Sequence, residues 1–252
     1  MSECRIRKKR SRIAAWGITF LLPLLLVFYS WFMEHRPRLH DPKEWNLQDT
    51  LIQNSDLLMA AVFLVLSLLP FYLMFDRRKA QARDLVPIAL MAAMCVVGRT
   101  AFSIVPLPNF KPCSAIIMIT AIVFGPETGF LTGALTAFVS NFIFGQGPWT
   151  PFQMFSWGIL GFIAGLLAAP LKKSRIALTL YAVLSGVLYS FLMDIWTVLW
   201  ADGAFNISRY LAAILSAAPF TAIYAVSNTV FLLLFARSIG KILDRLKTKY
   251  AL

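Results

Sequence analysis

The sequence predicts an all-α integral membrane protein, and two observations lead to that prediction. Of the 252 residues, 59% are hydrophobic and only 14% are charged, which leaves too little polar surface to cover a water-soluble domain of this length. Glu127 is also the only Asp, Glu, Lys or Arg side chain between Lys111 and Lys172. This stretch is rich in glycine, proline, tryptophan and amide residues, which is typical of membrane helices built around a cavity rather than of a plain anchor.

Apolar segments long enough to cross a bilayer recur along the chain. A spanning helix needs about 20 mostly apolar residues, and division at polar, glycine and proline breaks predicts eight such spans. Their ranges are 13–33, 56–75, 84–105, 113–125, 128–144, 151–170, 176–200 and 210–236. The first span follows a basic stretch, as in a signal peptide, but no small-residue cleavage site comes after it, so we expect it to be retained.

Basic residues predict the orientation of these spans, because cytoplasmic loops collect lysine and arginine. With eight alternating spans, 18 of the 24 basic residues fall on one side. They lie before residue 13, in the loops 76–84 and 171–175, and after residue 236. We therefore expect both termini in the cytoplasm, and orientation rather than nucleic-acid binding explains the net charge of +12.

Enzyme and metal chemistry are disfavoured by the residues that the spans contain. The three cysteines and two histidines lack the spacing of a disulfide framework or a metal site, so we expect no metal and no cofactor. A membrane enzyme would need a Ser/His dyad, paired aspartates or a metal cluster within its spans. No histidine lies in a predicted span, and Asp194 is the only aspartate deep inside one. We expect no catalytic residue.

Polar and aromatic residues gather at the outer ends of the predicted spans. Asn141 ends the fifth span, Gln146 and Trp149 lie in the next loop, and Gln153 and Trp157 share one helix face by their spacing. Polar groups exposed to lipid lose their hydrogen bonds to water, so we expect this cluster to face an interior or a ligand. The tryptophans could instead form the aromatic belt of a membrane surface.

Two charged residues lie within spans, at similar depth in the outer half. Because a charge at the bilayer centre costs at least about 2.5 kcal/mol, Arg99 and Asp194 are expected either to pair with each other or to bind or gate a ligand. Arg99 could also reach the membrane surface with its long side chain. Asn228, deeper in the last span, is expected to make an interhelical hydrogen bond.

Small residues four apart predict close helix packing. The pairs are Gly129 with Gly133, Gly161 with Gly165, and Ala89 with Ala93. Three further motifs accompany the alanine pair. They are Val97-Gly-Arg-Thr-Ala-Phe followed by Leu107-Pro-Asn-Phe-Lys-Pro, Gly125-Pro-Glu-Thr-Gly-Phe, and Asn141-Phe-Ile-Phe-Gly-Gln-Gly-Pro-Trp-Thr-Pro-Phe-Gln-Met. Together they resemble the S-component, the substrate-binding membrane subunit, of an energy-coupling factor (ECF) vitamin transporter.

The resemblance covers about two thirds of the chain and implies a six-helix core at 81–252, preceded by a two-helix extension at 1–80. It implies a vitamin site near the outer face of a bacterial plasma membrane protein. It further implies docking through Ala89 and Ala93 onto a transmembrane T-component driven by two ATPases. The chain has no phosphate-binding loop of its own, so ATP would be hydrolysed by those partners.

The loop Gly145-Gln-Gly-Pro-Trp-Thr-Pro is most similar to the cobalamin group of that family, which implies cobalamin or a related corrinoid as ligand. Another vitamin, a modified-base precursor, or a stand-alone transporter driven by protons through Asp194 are the alternatives. The expected pocket, lid and polar-anchor residues are Arg99, Asn109, Phe110, Asn141, Gln146, Trp149, Gln153, Trp157 and Asp194.

Overall fold

The structure is a computed structural model. It describes residues 46–53, 82–202 and 205–250, together with isolated positions between 24 and 62. The predicted spans 13–33 and 56–75, and with them the two-helix extension, lie outside the continuously described residues.

Every regular element of the described residues is helical. The helices are α1 (Leu47–Gln53), α2 (Ala82–Ala101, followed by a 3-10 turn at Phe102–Ile104), α3 (Cys113–Phe124), α4 (Pro126–Phe144), α5 (Trp149–Leu166), α6 (Ala168–Lys173), α7 (Arg175–Asp202) and α8 (Ile207–Tyr250). Each of the six spans predicted after residue 80 overlaps one of the helices α2, α3, α4, α5, α7 and α8. The prediction of an all-α fold of the membrane type is confirmed.

Three helices in the described part of the chain are long and apolar enough to cross a membrane. They cover Leu85–Ile104, Arg175–Asp202 and Ile207–Lys249. Cys113–Phe124 is a shorter apolar helix. Ten of the 12 residues of α3 are buried, and α3 packs against α2, α4, α5 and α8. It therefore lies at the centre of the bundle, where its neighbours and not lipid surround it.

Two predicted boundaries differ from the structure. The sixth span was expected to run to residue 170, but α5 ends at Leu166 and the short α6 follows. The last span was expected to end at 236, but α8 continues to Tyr250. Hydropathy misplaces this end because the last turns are amphipathic. There, Leu243 packs into the core and the Lys247 ammonium donates to the Val123 carbonyl at 2.6 Å.

Glycine pairs allow α4 and α5 to approach backbone to backbone, as their spacing predicted. A Cβ atom on Gly129 would lie 2.9 Å from the carbonyl oxygen of Gly161. A Cβ atom on Gly133 would lie 2.5 Å from the carbonyl oxygen of Trp157. Larger side chains at this seam would force the helices apart, so the glycines set the spacing of the hairpin that carries the candidate site.

The expected interhelical hydrogen bond of Asn228 is confirmed. Its side-chain amide donates to the Ser185 hydroxyl at 2.9 Å, and both residues are buried. The bond joins α8 to α7.

Candidate functional site

A hydrogen-bonded network joins four helices at the end of the bundle opposite the basic loop 171–175. Arg99, in the last turn of α2, donates to the Ser140 hydroxyl and, at 2.8 Å, to the side-chain oxygen of Asn141. The Asn141 amide donates to the Gln153 oxygen at 2.8 Å. The Gln153 amide in turn donates to the Tyr189 hydroxyl of α7 at 3.2 Å. These contacts connect α2, α4, α5 and α7.

The loop between α4 and α5 is held by the same network. Asn141 donates to the Thr150 hydroxyl at 3.1 Å, and that hydroxyl donates to the Gln146 side-chain oxygen at 3.0 Å. The Gln146 amide donates to the Phe138 carbonyl at 2.9 Å. Gly145 has a φ of +99°, which L side chains rarely adopt, and this lets the chain turn back at the end of α4. The loop is therefore fixed by side-chain amides and not only by its backbone.

An aromatic group lies beside the polar network. The Trp157 side chain is 0% exposed and stacks on Tyr189, with ring centroids 6.0 Å apart. The centroids of Tyr189 and Tyr224 are 4.6 Å apart. The Trp157 indole donates to the Tyr224 hydroxyl at 2.8 Å, and Tyr224 also hydrogen bonds to Ser114 of α3. We call Trp157, Tyr189 and Tyr224 the aromatic wall.

No carboxylate of the described residues pairs with Arg99. Its guanidinium carbon lies 4.3 Å from the centroid of the Phe144 ring and 5.3 Å from that of Trp157, within the range of cation–π attraction. Its hydrogen-bond partners are Ser140 and Asn141, and its buried Nε has no partner. The site therefore holds a cation, amides and aromatic rings together, a combination that binds ligands with a flat ring and hydrogen-bonding edges.

Comparison with known proteins assigns the family. The family model of the ECF-type riboflavin transporter S component matches residues 79–245. The chain belongs to this family. It is a substrate-binding membrane subunit of a transporter and not an enzyme.

Two curated relatives of this S component each match more than half of the chain. A UPF0397 protein of Aliivibrio salmonicida is 29% identical over 147 residues, which is 57% of this chain and 77% of that protein. A UPF0397 protein of Vibrio atlanticus is 29% identical over 163 residues, which is 60% of this chain and 85% of that protein. No solved structure matches. The family description names riboflavin, and the cobalamin assignment made from the sequence is not confirmed.

Of the alternatives open for Arg99 and Asp194, the ion pair between them is not formed in the structure of this S component. Asp194 follows Ser190 by one helical turn, and the Ser190 hydroxyl bonds to Thr221 of α8 at 2.6 Å, so Asp194 lies on the α7 face that packs against α8. Arg99 instead bonds across to α4. Similar depth along two helices does not determine which of their faces meet. Asp194 is 8% exposed, and its buried Oδ2 has no hydrogen-bond partner.

Three other expected site residues lie beside the network rather than within it. Phe110 packs against Phe231 of α8, with ring centroids 5.1 Å apart. Asn109, in the same loop, has a φ of +65° and is half-buried. Trp149 lies at the start of α5 with its ring centroid 6.4 Å from that of Trp196. Their part in a pocket or lid stays a prediction.

Five contributors to the network were missed by sequence reasoning: Ser114, Ser140, Thr150, Tyr189 and Tyr224. Serine and threonine hydroxyls in apolar helices often bond only to their own preceding turn, so their presence signals little. Single tyrosines in two different apolar helices would equally suit an interfacial belt. The one usable signal was Tyr224, one turn before Asn228 on the same helix face.

Two cysteines with no meaningful sequence spacing meet beside Arg99. The Cys113 thiol donates to the Cys95 carbonyl at 3.2 Å, and the Cys95 thiol lies 3.6 Å from the Cys113 carbonyl oxygen. Both cysteines are free and buried. They fix the start of α3 against α2.

The alanines expected to dock a partner lie on the outer surface of α2. Ala89 and Ala93 are both exposed, and Leu90, Met94 and Val97 are exposed beside them. This apolar surface faces away from the rest of the bundle. Docking onto a T-component stays a prediction.

Proposed function

We propose that this S component captures a flat, aromatic, water-soluble vitamin of the flavin type at the outer end of its bundle, for import by an ECF transporter. The supporting observation is the network of Arg99, Asn141 and Gln153 against the aromatic wall. Amide and guanidinium groups can bond to the edge of a heterocycle while the rings of Trp157 and Tyr189 cover its face. Riboflavin is the first candidate, since the family description names it.

A planar ring system also disturbs few of the side-chain contacts that fill the site in this structure. Trp157 and Tyr189 already stack on each other. A flat ligand that parts these two rings disturbs their bonds to Tyr224 and Gln153 but leaves the rest of the network in place. A corrinoid is a macrocycle with bulky side groups, so it would need several of the network's hydrogen bonds to break. Cobalamin therefore serves as the competing ligand in the test.

The transport step is proposed from the family. The vitamin enters from the outside, the exposed alanine face of α2 docks on a T-component, and ATPase subunits supply the energy for release into the cytoplasm. Basic residues of the loop 171–175 and of the end of α8 would then face the cytoplasm. The aromatic wall lies at the opposite, outer end.

Binding to purified protein in nanodiscs tests the ligand. We expect riboflavin fluorescence to be quenched in a saturable way and cyanocobalamin to compete weakly or not at all. Gln153→Leu removes a donor and an acceptor from the network at similar volume, so we expect about a tenfold or larger loss of affinity, corresponding to about 1.4 kcal/mol. Asn206→Leu, at an exposed amide outside the site, is the matched control.

The same assay can reject the proposal. Unchanged riboflavin affinity in the double variant Gln153→Ala, Trp157→Ala would place the binding site elsewhere. Tight cobalamin binding without riboflavin binding would show that the ligand is a corrinoid and not a flavin.

Buried Asp194 is the observation that favours a second function, a stand-alone proton-coupled transporter. The two functions differ in what uptake needs. Uptake into proteoliposomes by this chain alone, driven by a proton gradient and lost in Asp194→Asn, would favour the second. Uptake that requires a T-component, ATPases and ATP favours the ECF importer.

A further inference from the structure

Two positively charged residues lie at the outer end of the bundle without a carboxylate to pair with. Arg99 ends α2, and Lys111 ends the loop that leads into α3. The ion pairs found in the described part of the chain involve other residues: Lys172 with Asp244 and Arg209 with Asp202. Unpaired positive charges in a half-buried position are costly and therefore mark a site for a negative partner.

Packing places the backbone segments that carry these two residues next to each other. Gly98 precedes Arg99 and Pro112 follows Lys111, and a Cβ atom on Gly98 would lie only 2.8 Å from the Pro112 ring. The backbone of Lys111 is held from the other side by Ser227 of α8. The Lys111 N–H donates to the Ser227 hydroxyl at 2.9 Å, and this hydroxyl donates to the Lys111 carbonyl at 3.1 Å.

A third positive contribution comes from the start of α3. This helix begins at Cys113, directly after Lys111 and Pro112, and its N-cap residue provides no side-chain hydrogen bond. The first N–H groups of a helix lack intrahelical partners and carry a partial positive charge that favours anions. The helix end alone would not define a site, but here it lies beside Arg99, whose buried Nε is also without a partner.

The electrostatics of Lys111 agree with this geometry. Burial, and then the positive charge of Arg99, lower the pKa of the Lys111 ammonium to about 8. The two cations therefore repel each other in a setting that water screens poorly. An anion between them would remove that repulsion.

We infer that the vitamin bound by this S component carries an acidic group, a carboxylate or a phosphate, which lies between Arg99 and Lys111 while its ring stacks on the aromatic wall. This inference rests on the proposed function and narrows its substrate class. Riboflavin itself is neutral, so its phosphate ester, or a heterocycle with a carboxylate, is expected to bind more tightly.

Matched pairs of ligands test the inference with the full chain in nanodiscs. Riboflavin is compared with flavin mononucleotide, and nicotinamide with nicotinate, which separates phosphate from carboxylate as the acidic group. We expect the acid of at least one pair to bind about tenfold or more tightly than its neutral partner. If the neutral member binds equally well or better in both pairs, the inference fails and the proposed function stands. If no member of either pair binds, both fail.

Variants locate the acidic group. Lys111→Met is expected to reduce the preference for the acid to less than about threefold while leaving the affinity for the neutral ligand nearly unchanged. Arg99→Gln should act in the same direction, but Arg99 also holds Ser140 and Asn141, so thermal unfolding must show that this variant is folded. Lys173→Met, at an exposed lysine of α6, is the matched control and should keep the full preference. An unchanged preference in Lys111→Met overturns the inference.

The pH dependence gives an independent readout. The charged or titratable groups facing Lys111 are Arg99 from α2 and Cys113 from α3, while α8 contributes the non-titrating hydroxyl of Ser227. Because the Lys111 ammonium loses its proton above a pKa of about 8, preference for the acid should decrease between pH 7 and pH 9. Lys111→Arg stays charged over this range and should remove the decrease. A preference that is equally flat in the unmodified protein and in Lys111→Arg contradicts the assignment of the anion to Lys111.

Discussion

Asn141 joins the largest number of partners in the candidate site. Its side-chain oxygen accepts from Arg99, and its amide donates to Thr150 and Gln153. It is 0% exposed, so any of these partners left behind by a substitution would be a buried polar group without a bond. The energetic cost of such groups usually exceeds the net gain of the bond itself.

Replacement of this residue is therefore expected to affect folding as well as binding. For Asn141→Leu we expect a loss of about 2 to 4 kcal/mol in the free energy of unfolding, because the side chains of Arg99 and Gln153 both lose a partner. Thermal or denaturant unfolding in detergent measures it. Ser216→Ala, at an exposed hydroxyl of α8 that bonds to the Ala212 carbonyl of its own preceding turn, should change stability by less than about 0.5 kcal/mol. Equal stability of the two variants would contradict the role given to Asn141.

The hydrogen bond between Asn228 and Ser185 should contribute less to the free energy of unfolding than the bonds of Asn141 do. Interhelical hydrogen bonds in membranes average about 0.6 kcal/mol and rarely exceed about 1.7 kcal/mol. A double-mutant cycle with Asn228→Ala and Ser185→Ala should therefore give a coupling energy in this range. A coupling energy near zero would mean that the two side chains find other partners when separated.

Residue chemistry made part of the site predictable. Arg99, Asn141, Gln146, Gln153 and Trp157 stand out because polar or large aromatic groups in apolar helices need partners, and the structure joins all five through the network or through Arg99 over the Trp157 ring. The Asp194 pairing failed because the rotation of each helix about its axis depends on tertiary packing. The hydroxyl partners were missed because a serine or threonine hydroxyl can bond to the preceding turn of its own helix almost anywhere, so the sequence does not show which ones bond across helices.

At the scale of elements, the α4–α5 hairpin is the scaffold of the candidate site. It supplies Asn141, Gln153 and Trp157, and its two helices touch through glycine. The seam was predictable because only a residue without a side chain permits such an approach.

A methyl group at this seam should separate the helices. Gly161→Ala places a Cβ atom against the backbone of Gly129, so we expect about 1 to 3 kcal/mol of destabilisation and weaker ligand binding. Gly240→Ala in α8 is the matched control, because a Cβ atom there meets nothing within 4 Å. The control should be neutral or slightly stabilising, since alanine favours helix. Similar destabilisation in both variants would show that helix propensity rather than packing decides the result.

The exposed face of α2 is expected to contact the T-component and not the ligand. Ala93→Trp should therefore prevent co-purification with a T-component while leaving vitamin affinity within about twofold, because the bulky ring fills the surface that a partner helix would occupy. Ala222→Trp, at an exposed alanine of α8, is the control for bulk on the lipid-facing surface. Loss of ligand affinity in Ala93→Trp, with complex formation intact, would rule out this function for the alanine face.

For the whole molecule, the distribution of basic residues predicts which end faces the cytoplasm. Ser174 lies beside Lys172, Lys173 and Arg175 at the start of α7, whereas Ser208 lies in the first turn of α8, after the opposite end of α7. In intact cells, a membrane-impermeant thiol reagent should modify Ser208→Cys and should modify Ser174→Cys only after permeabilisation. The native cysteines of the described helices are buried, and Cys4→Ser removes the remaining one. The reverse pattern would invert the proposed direction of transport.

Hydropathy and length were sufficient to locate the six core helices approximately. They were insufficient where a helix leaves the apolar layer and continues as an amphipathic segment, as α8 does after Ala236. There, Leu243 packs into the core, the bond of Lys247 to Val123 joins the helix to α3, and the ion pair of Asp244 with Lys172 joins it to α6. Only tertiary structure contains that information.

The length of α8 gives the molecule a mechanical link between its two faces. The helix passes without a break from Tyr224 in the aromatic wall to Lys247, a distance of about 35 Å at 1.5 Å per residue. Its only proline, Pro219, lies on the N-terminal side of Tyr224, so this segment lacks the usual cause of a kink. A tilt of only about 5° at the wall moves the other end by about 3 Å over that length. Because the segment is stiff, a displacement of one aromatic ring in the wall would reach the Lys247 end as a movement of the size of a bond between side chains.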